Sequence, residues 1–295
     1  MTLPQPPAPQ ITTCYRHPNR EAGRRCTRCG KPACEECLVR ADIGSQCLEC
    51  AKAGRPTGRE RARYWSARQP TLVTYALMAI NVAVFVWIAV QEPDSLSSRQ
   101  MTLDQADLSL NEYSVAIHHE WYRLVTSGFL HFGFIHIAFN MLLLFQLGQM
   151  LEPLLGRVRF ALLYFAALLG GSAGVMLLNG NIYEQHGGAS GAVFGLLGAA
   201  AVLLLQRGIN PLTTGIGTTL MLNLLITFTI PNISIGGHLG GVVAGAAAGW
   251  FMLAPKHRRI PTWATYASPV AVGAIAVAVC VLVANSSDAV RIPGL

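Results

Sequence analysis

Seven apolar runs follow one another along the chain from residue 71, at about 71–90, 129–151, 159–178, 190–206, 214–230, 238–254 and 265–284. Each is near or slightly below the roughly 20 residues that a helical membrane span needs. The pattern predicts an all-α polytopic membrane protein. The fourth, fifth and sixth runs are short and rich in glycine, which predicts helices buried inside a bundle. Composition agrees, because 52% of the 295 residues are hydrophobic and only 13% are charged, a deficit that excludes a wholly soluble protein.

Charge and cysteine are concentrated ahead of the first run. Residues 1–70 hold 13 of the 22 Lys and Arg and 6 of the 15 Asp and Glu, and seven of the eight cysteines lie between residues 14 and 50. Residues 1–13, which begin MTLPQPPAPQ, predict a disordered lead. They have neither the basic start nor the apolar run of a signal peptide, so the N-terminus is expected in the cytosol. Residues 14–50 form a cysteine-rich domain, and 51–70 a basic linker carrying Arg55, Arg59, Arg61, Arg63 and Arg68. Residues 71–254 hold six spans, and 255–295 a loop, a seventh span and a short tail.

Lys and Arg in short connections are retained on the cytosolic side of a membrane. The linker arginines, then Arg157 and Arg159, then Arg207, then Lys256, Arg258 and Arg259 make every second connection basic. The intervening connections 179–188 and 231–237 have neither residue, and 91–120 is mainly acidic. These counts predict a multi-pass protein of the cell membrane with its N-terminus inside and its C-terminus outside.

The cysteine segment pairs its ligands as Cys14-x2-His17, Cys26-x2-Cys29, Cys34-x2-Cys37 and Cys47-x2-Cys50. Eight ligands suffice for two tetrahedral structural Zn²⁺ sites. A disulfide framework is disfavoured by the odd number of cysteines and by a reducing compartment. Seven thiolates and two Zn²⁺ would lower the formal charge of +7 to +4. The order and spacing resemble B-box-type zinc fingers, except that the last pair is cysteine where that family often uses histidine. The resemblance implies that pairs one and three share one zinc and pairs two and four the other. Nucleic acid is disfavoured as a partner, since Arg16, Arg20, Arg24, Arg25 and Arg28 come without a set of stacking aromatics. A cytosolic protein partner or apposition to the anionic inner leaflet fits better.

Ionisable and polar residues inside spans are costly and mark function by default. Here they are His131, His136 and Asn140 in the second run, Ser190 at the start of the fourth and His238 at the start of the sixth. Spans two, four and six share one direction, so these residues fall at similar depth. Ser190 sits where a glycine loop meets a helix N-terminus, whose free N–H groups and dipole suit an oxyanion. Its hydroxyl needs a base, and His238 is the candidate. Gly237, Gly241, Gly245 and Gly249 recur every four residues, as do Gly191 and Gly195. Such faces let two helix backbones approach closely. His136 and Asn140 share a helical face and could donate to the oxyanion. Each feature alone has a plainer meaning, a cap, a packing face or an interhelical bond. Their coincidence at one depth favours chemistry.

Glu120-Trp121-Tyr122-Arg123, the run from His131 to Asn140, Gly188-Ala189-Ser190-Gly191 and Gly237-His238-Leu239-Gly240-Gly241 together resemble the rhomboid family of intramembrane serine proteases over roughly residues 71–254. The resemblance implies a six-helix core and a Ser190–His238 dyad without an Asp. It implies His136, Asn140 and the backbone at Gly188 and Ser190 as oxyanion stabilisers. By the same resemblance His131 braces the loop before the second span and Arg123 anchors that loop. Gly191 and Gly241 belong to the motifs around the dyad. Phe194 stands where many relatives carry a tyrosine on which the histidine stacks, and Tyr122 stands where they carry tryptophan. The segment 265–284 is a seventh span beyond the core.

The expected activity is cleavage of transmembrane segments of other membrane proteins near the outer face, through an acyl-enzyme and with no metal in the chemistry. Its substrates would be transmembrane proteins and its surroundings the lipid bilayer. The alternative is a catalytically silent relative that binds transmembrane helices, with the zinc head as an adaptor. Other intramembrane chemistries lack their residues here: there is no His-Glu-x-x-His and no pair of aspartates within the spans.

Overall fold

The computed structural model describes residues 12–41, 43–55, 57–58, 61, 71–97, 101–178, 180–230 and 233–287. Most of the expected lead, the linker arginines Arg59, Arg63 and Arg68, and the tail beyond 287 lie outside the described residues. The chain divides into two units, Met1–Arg68 and Gln69–Leu295.

The first unit is a small β-rich head. Strands β1 (Arg24–Arg25) and β2 (Pro32–Ala33) pair antiparallel, as do β3 (Leu38–Arg40) and β4 (Ser45–Cys47), and α1 (Leu48–Ala53) follows. Gly30 and Gly44 turn the two hairpins at φ +73° and +72°, a region open to glycine. Among the described residues its buried apolar core is Ala33 with Cys14, Cys34 and Cys37, against which the partly buried Tyr15, Leu38 and Leu48 pack. So small a core does not hold a segment of this length, and such domains depend on disulfides or metals.

The second unit is a multi-pass, all-helical integral membrane body. Among the described residues, five helices are long and apolar enough to cross a membrane: α2 (Leu72–Gln91), α6 (Phe134–Leu155), α7 (Arg157–Leu178), α10 (Ile235–Met252) and α11 (Thr262–Ser286). Between them run the short helices α3 (Leu103–Leu108), α4 (Glu112–His118) and α5 (Arg123–Thr126). Two further apolar helices, α8 (Ser190–Gln206) and α9 (Gly215–Thr229), are shorter, with 17 and 15 residues. All seven apolar runs are helical. The second differs from expectation at its start: its helix begins at Phe134, after Gly133 at φ +85°, and His131 lies in the preceding loop.

Hydrocarbon gives helices no hydrophobic reason to associate, so contact rests on close packing. Glycine supplies it here. Helix α10 lies between α7 and α8 and touches both backbone to backbone. A Cβ on Gly174 would fall 2.9 Å from the Gly236 carbonyl carbon, one on Gly241 2.8 Å from that of Gly191, and one on Gly245 2.5 Å from the Gly195 Cα. The Gly170 and Gly174 face of α7 is a second such interface that the sequence expectation omitted.

Helix α2 is held by α6 through one buried carboxylate. Glu152 is fully buried and accepts from Val73 N at 2.9 Å, Thr74 N at 2.8 Å and Thr74 Oγ1 at 2.7 Å. It thereby caps first-turn N–H groups that α2 leaves open and meets the positive end of its dipole. Thr71, the N-cap residue, makes no side-chain cap of its own.

Candidate active site

Ser190 is the first residue of α8 and follows the N-cap Ala189, which forms no side-chain cap bond. Its hydroxyl points across to α10, where His238 Nε2 lies 2.8 Å from Ser190 Oγ. The glycine interface makes this possible: Gly191 and Gly241, one and three residues away from the pair, are where α8 and α10 meet. His238 is 8% exposed, and its ring stacks on Phe194 with centroids 3.9 Å apart and planes 13° apart. Phe194 therefore supplies the ring face expected of that position.

The other imidazole nitrogen is also engaged. His238 Nδ1 lies 2.7 Å from Thr227 Oγ1 near the end of α9. No motif singled out Thr227, since a threonine in an apolar helix gives no distinguishing pattern.

His136 faces the serine from α6. The Phe132 N–H donates to its Nδ1 at 3.3 Å, which leaves its hydrogen on Nε2. That edge borders Gly188, where a Cβ would lie 2.8 Å from His136 Nε2 and 3.5 Å from Ser190 Oγ. With φ +134°, Gly188 suits glycine on two counts. Its N–H donates to the Ser127 carbonyl at 2.8 Å, so the expected oxyanion role does not extend to this amide. Gly188 makes room for His136 instead. The Val193 N–H is bonded to the Ala189 carbonyl at 3.0 Å, and the Ser190 N–H precedes it in the open first turn. Asn140 is buried one turn beyond His136 and donates one amide hydrogen to the His136 carbonyl at 3.0 Å, keeping the second.

The surrounding loops are tied to one another. His131 is 1% exposed; its Nε2 accepts the Ala189 N–H at 3.4 Å and its carbonyl accepts Gln105 Nε2 at 3.2 Å. Its ring thus holds the loop before Ser190, and its backbone holds the loop expected of it. Arg123 is 5% exposed and donates to the Ala106 and Ser109 carbonyls at 2.6 and 2.8 Å and to Glu120 Oε2 at 2.6 Å. Tyr122 lies exposed beneath its guanidinium, 5.6 Å from the ring centroid. Leu110 and His186 exchange two backbone bonds of 2.8 Å, which join segment 103–118 to the loop leading into Ser190. Beside Ser190 lies a cavity of about 40 Å³ bordered by Ser127, Leu168, Gly171, His186 and Gly237. His186 went unnoticed in the sequence, and burial pushes its imidazole below the ordinary value.

In the head, the described residues contain two groups of potential metal donors: Cys14, His17, Cys34 and Cys37, and Cys26, Cys29, Cys47 and Cys50. The donor atoms of each group lie within 4.8 Å of one another. His17 turns Nδ1 inward, 3.4 Å from Cys34 Sγ and 3.5 Å from Cys37 Sγ, and Cys29 Sγ is 3.7 Å from Cys47 Sγ. Burial opposes ionisation of Cys14, but N–H donors at Cys34, Arg16 and His17 outweigh it and bring the thiol down to about 6. The Cys47 N–H leads the same effect at Cys26, also to about 6. Burial raises Cys37 to about 11 and hydrogen bonding with Cys47 raises Cys50 to about 12, so each group pairs a cysteine that favours thiolate, the form that binds metal, with one held as thiol.

Residues 118–255 match the family profile of the Rhomboid domain. The chain is 33% identical to the rhomboid protease GluP of Bacillus subtilis over 191 residues, 64% of this chain and 36% of that protein. It is 36% identical to YdcA, also of Bacillus subtilis, over 145 residues, 48% of this chain and 71% of that protein. It is 26% identical to the rhomboid protease AarA of Providencia stuartii over 215 residues, 64% of this chain and 75% of that protein. The chain therefore spans about a third of the length of GluP and most of YdcA and AarA. On the profile match and the identity across most of YdcA, this chain belongs to the rhomboid family.

Proposed function

We propose that the chain is an intramembrane serine endopeptidase that cleaves transmembrane segments of other membrane proteins near the outer face. The observation that carries this reading is the 2.8 Å approach of Ser190 Oγ to His238 Nε2 between two membrane helices. As Ser190 Oγ bonds to the scissile carbonyl carbon, His238 Nε2 takes the hydroxyl proton and the carbonyl electron pair moves to oxygen. The Ser190 N–H, His136 Nε2–H and the free Asn140 hydrogen meet that oxyanion in a site of low dielectric. The imidazolium then gives its proton to the leaving amine as the C–N bond breaks. Water from the outer side, deprotonated by His238, hydrolyses the acyl-enzyme. No step calls for a metal.

In this reading α2, α6, α7, α8, α9 and α10 form the six-helix core and α11 the seventh span. The basic connections face the cytosol with the head, the C-terminus lies outside, and the membrane is that of the cell. A transmembrane substrate with a destabilised helix, reconstituted with the protein in proteoliposomes, is expected to be cut at one site near the outer face. Binding without any cut product would sink the protease reading in favour of a silent helix-binding relative.

The head is proposed to hold two structural Zn²⁺ ions. A tetrahedral zinc with Zn–S of about 2.3 Å sets thiolate sulfurs about 3.8 Å apart, close to the 3.7 Å between Cys29 and Cys47. Zinc would staple a head whose apolar core is too small to fold alone. The full chain is expected to carry two zinc ions by elemental analysis. Cys14→Ser with Cys34→Ser should retain one, and Cys14→Ser with Cys26→Ser none. The reverse pattern would refute the crossed pairing. A cytosolic protein is the proposed partner of the head.

A further inference from the structure

A neutral imidazole carries one hydrogen on either of two nitrogens, and only one tautomer can serve Ser190. Nε2 must be bare to accept the hydroxyl proton, so the hydrogen must sit on Nδ1. In serine hydrolases with a third member, a carboxylate opposite Nδ1 imposes that choice. Here the group opposite Nδ1 is the Thr227 hydroxyl, 2.7 Å away and 2% exposed. Its own hydrogen is already directed, since Thr227 Oγ1 donates to the Asn223 carbonyl one turn earlier at 2.7 Å. A hydroxyl whose only hydrogen is engaged offers lone pairs alone. Nδ1 must then be the donor, and Nε2 is left bare toward Ser190.

We propose that Thr227 is a positioning residue that sets the tautomer and ring orientation of His238. The inference rests on the assignment of Ser190 and His238 as nucleophile and base. Phe194 restricts the ring from one face, and Thr227 fixes its rotation about that face. When Ser190 Oγ bonds to the carbonyl carbon and its proton passes to Nε2, the imidazolium keeps its Nδ1–H on the Thr227 oxygen. A neutral acceptor stabilises that cation less than a carboxylate does, so the effect of losing it is smaller than for a triad aspartate. Thr227 lies on α9, whereas Ser190 and His238 lie on α8 and α10. The orientation of the base therefore depends on a third helix being seated.

The test compares the full-length wild type with Thr227→Val, which keeps the shape and removes the hydroxyl, and with Thr227→Ser, which restores it. In the ¹⁵N spectrum of histidine-labelled protein, the His238 signals are identified by their loss in His238→Ala. Wild type is expected to show His238 protonated on Nδ1, Thr227→Val a mixture of tautomers, and Thr227→Ser the wild-type state. In the cleavage assay Thr227→Val should lower kcat by about 10- to 100-fold, the scale found when a partner that orients a metal-bound histidine is removed. KM should be unchanged, and Thr227→Ser should recover most of the loss. His238 protonated on Nε2 in wild type, or an unchanged tautomer in Thr227→Val, would overturn the proposal. Normal cleavage by Ser190→Ala would instead overturn the protease reading, with the tautomer spectra still deciding the role of Thr227.

Discussion

Ser190→Ala and His238→Ala are each expected to slow cleavage of a reconstituted transmembrane substrate by about 10⁴-fold or more, about 5.4 kcal/mol of transition-state stabilisation. The two residues act as one unit joined by a 2.8 Å contact, so the double variant should be no slower than either single one. Ser190 is not the N-cap residue of α8, a place taken by Ala189. Removing its hydroxyl therefore forfeits none of the ~1 kcal/mol that an N-cap serine contributes but leaves the buried His238 Nε2 without its 2.8 Å partner, so Ser190→Ala should fold with a stability loss of no more than about 1–3 kcal/mol. Turnover within tenfold of wild type in either variant would remove that residue from the chemistry.

Gly245→Val is the second large expected effect, and it acts seven residues from the histidine. A Cβ at Gly245 would lie 2.5 Å from the Gly195 Cα and closer still to the Gly195 carbonyl. The obstacle is backbone, which cannot rotate aside as a side chain can. Overpacking typically costs about 1–3 kcal/mol where side chains yield, and a backbone clash lies at or above the top of that range. Helices α8 and α10 would have to separate, and Ser190 and His238 with them. Loss of both thermal stability and cleavage is expected. Gly215→Ala is the matching control, because a Cβ there meets nothing within 4 Å and alanine is the better helix former. If Gly245→Val melted like wild type, the close glycine interface would not be what joins the pair.

Much of this arrangement was legible because membrane helices leave simple traces. Seven apolar runs became seven helices, since the bilayer permits little else for such segments. The four-residue glycine spacing on α10 marked the face that meets α8, because only glycine admits that approach. The CxxC and CxxH spacing likewise marked the eight donor residues of the head, whereas their division into two crossed clusters came only from the B-box resemblance and is seen in the structure. What escaped notice depends on partners distant in sequence and lacks periodicity. Thr227 matters only through His238, and Glu152 only through the open end of α2, 78 residues earlier. The amide of Gly188 was expected to face an oxyanion, yet Ser127 occupies it, a competition that no local pattern reveals. The start of α6 shifted to Phe134 because Gly133 turns the chain at positive φ, whereas hydropathy alone continued the run back to Phe129.

The central claim is that His238 activates Ser190 as a nucleophile. It is tested most directly by exposing the membrane-embedded protein to a fluorophosphonate and locating the adduct by peptide mass spectrometry. A stable phosphonyl ester on Ser190 is expected in wild type, with Ser190→Ala unlabelled and His238→Ala labelled at least about 100-fold more slowly, the low end of what a general base supplies. An unmodified Ser190 in the folded wild type, or equal labelling without His238, would contradict it.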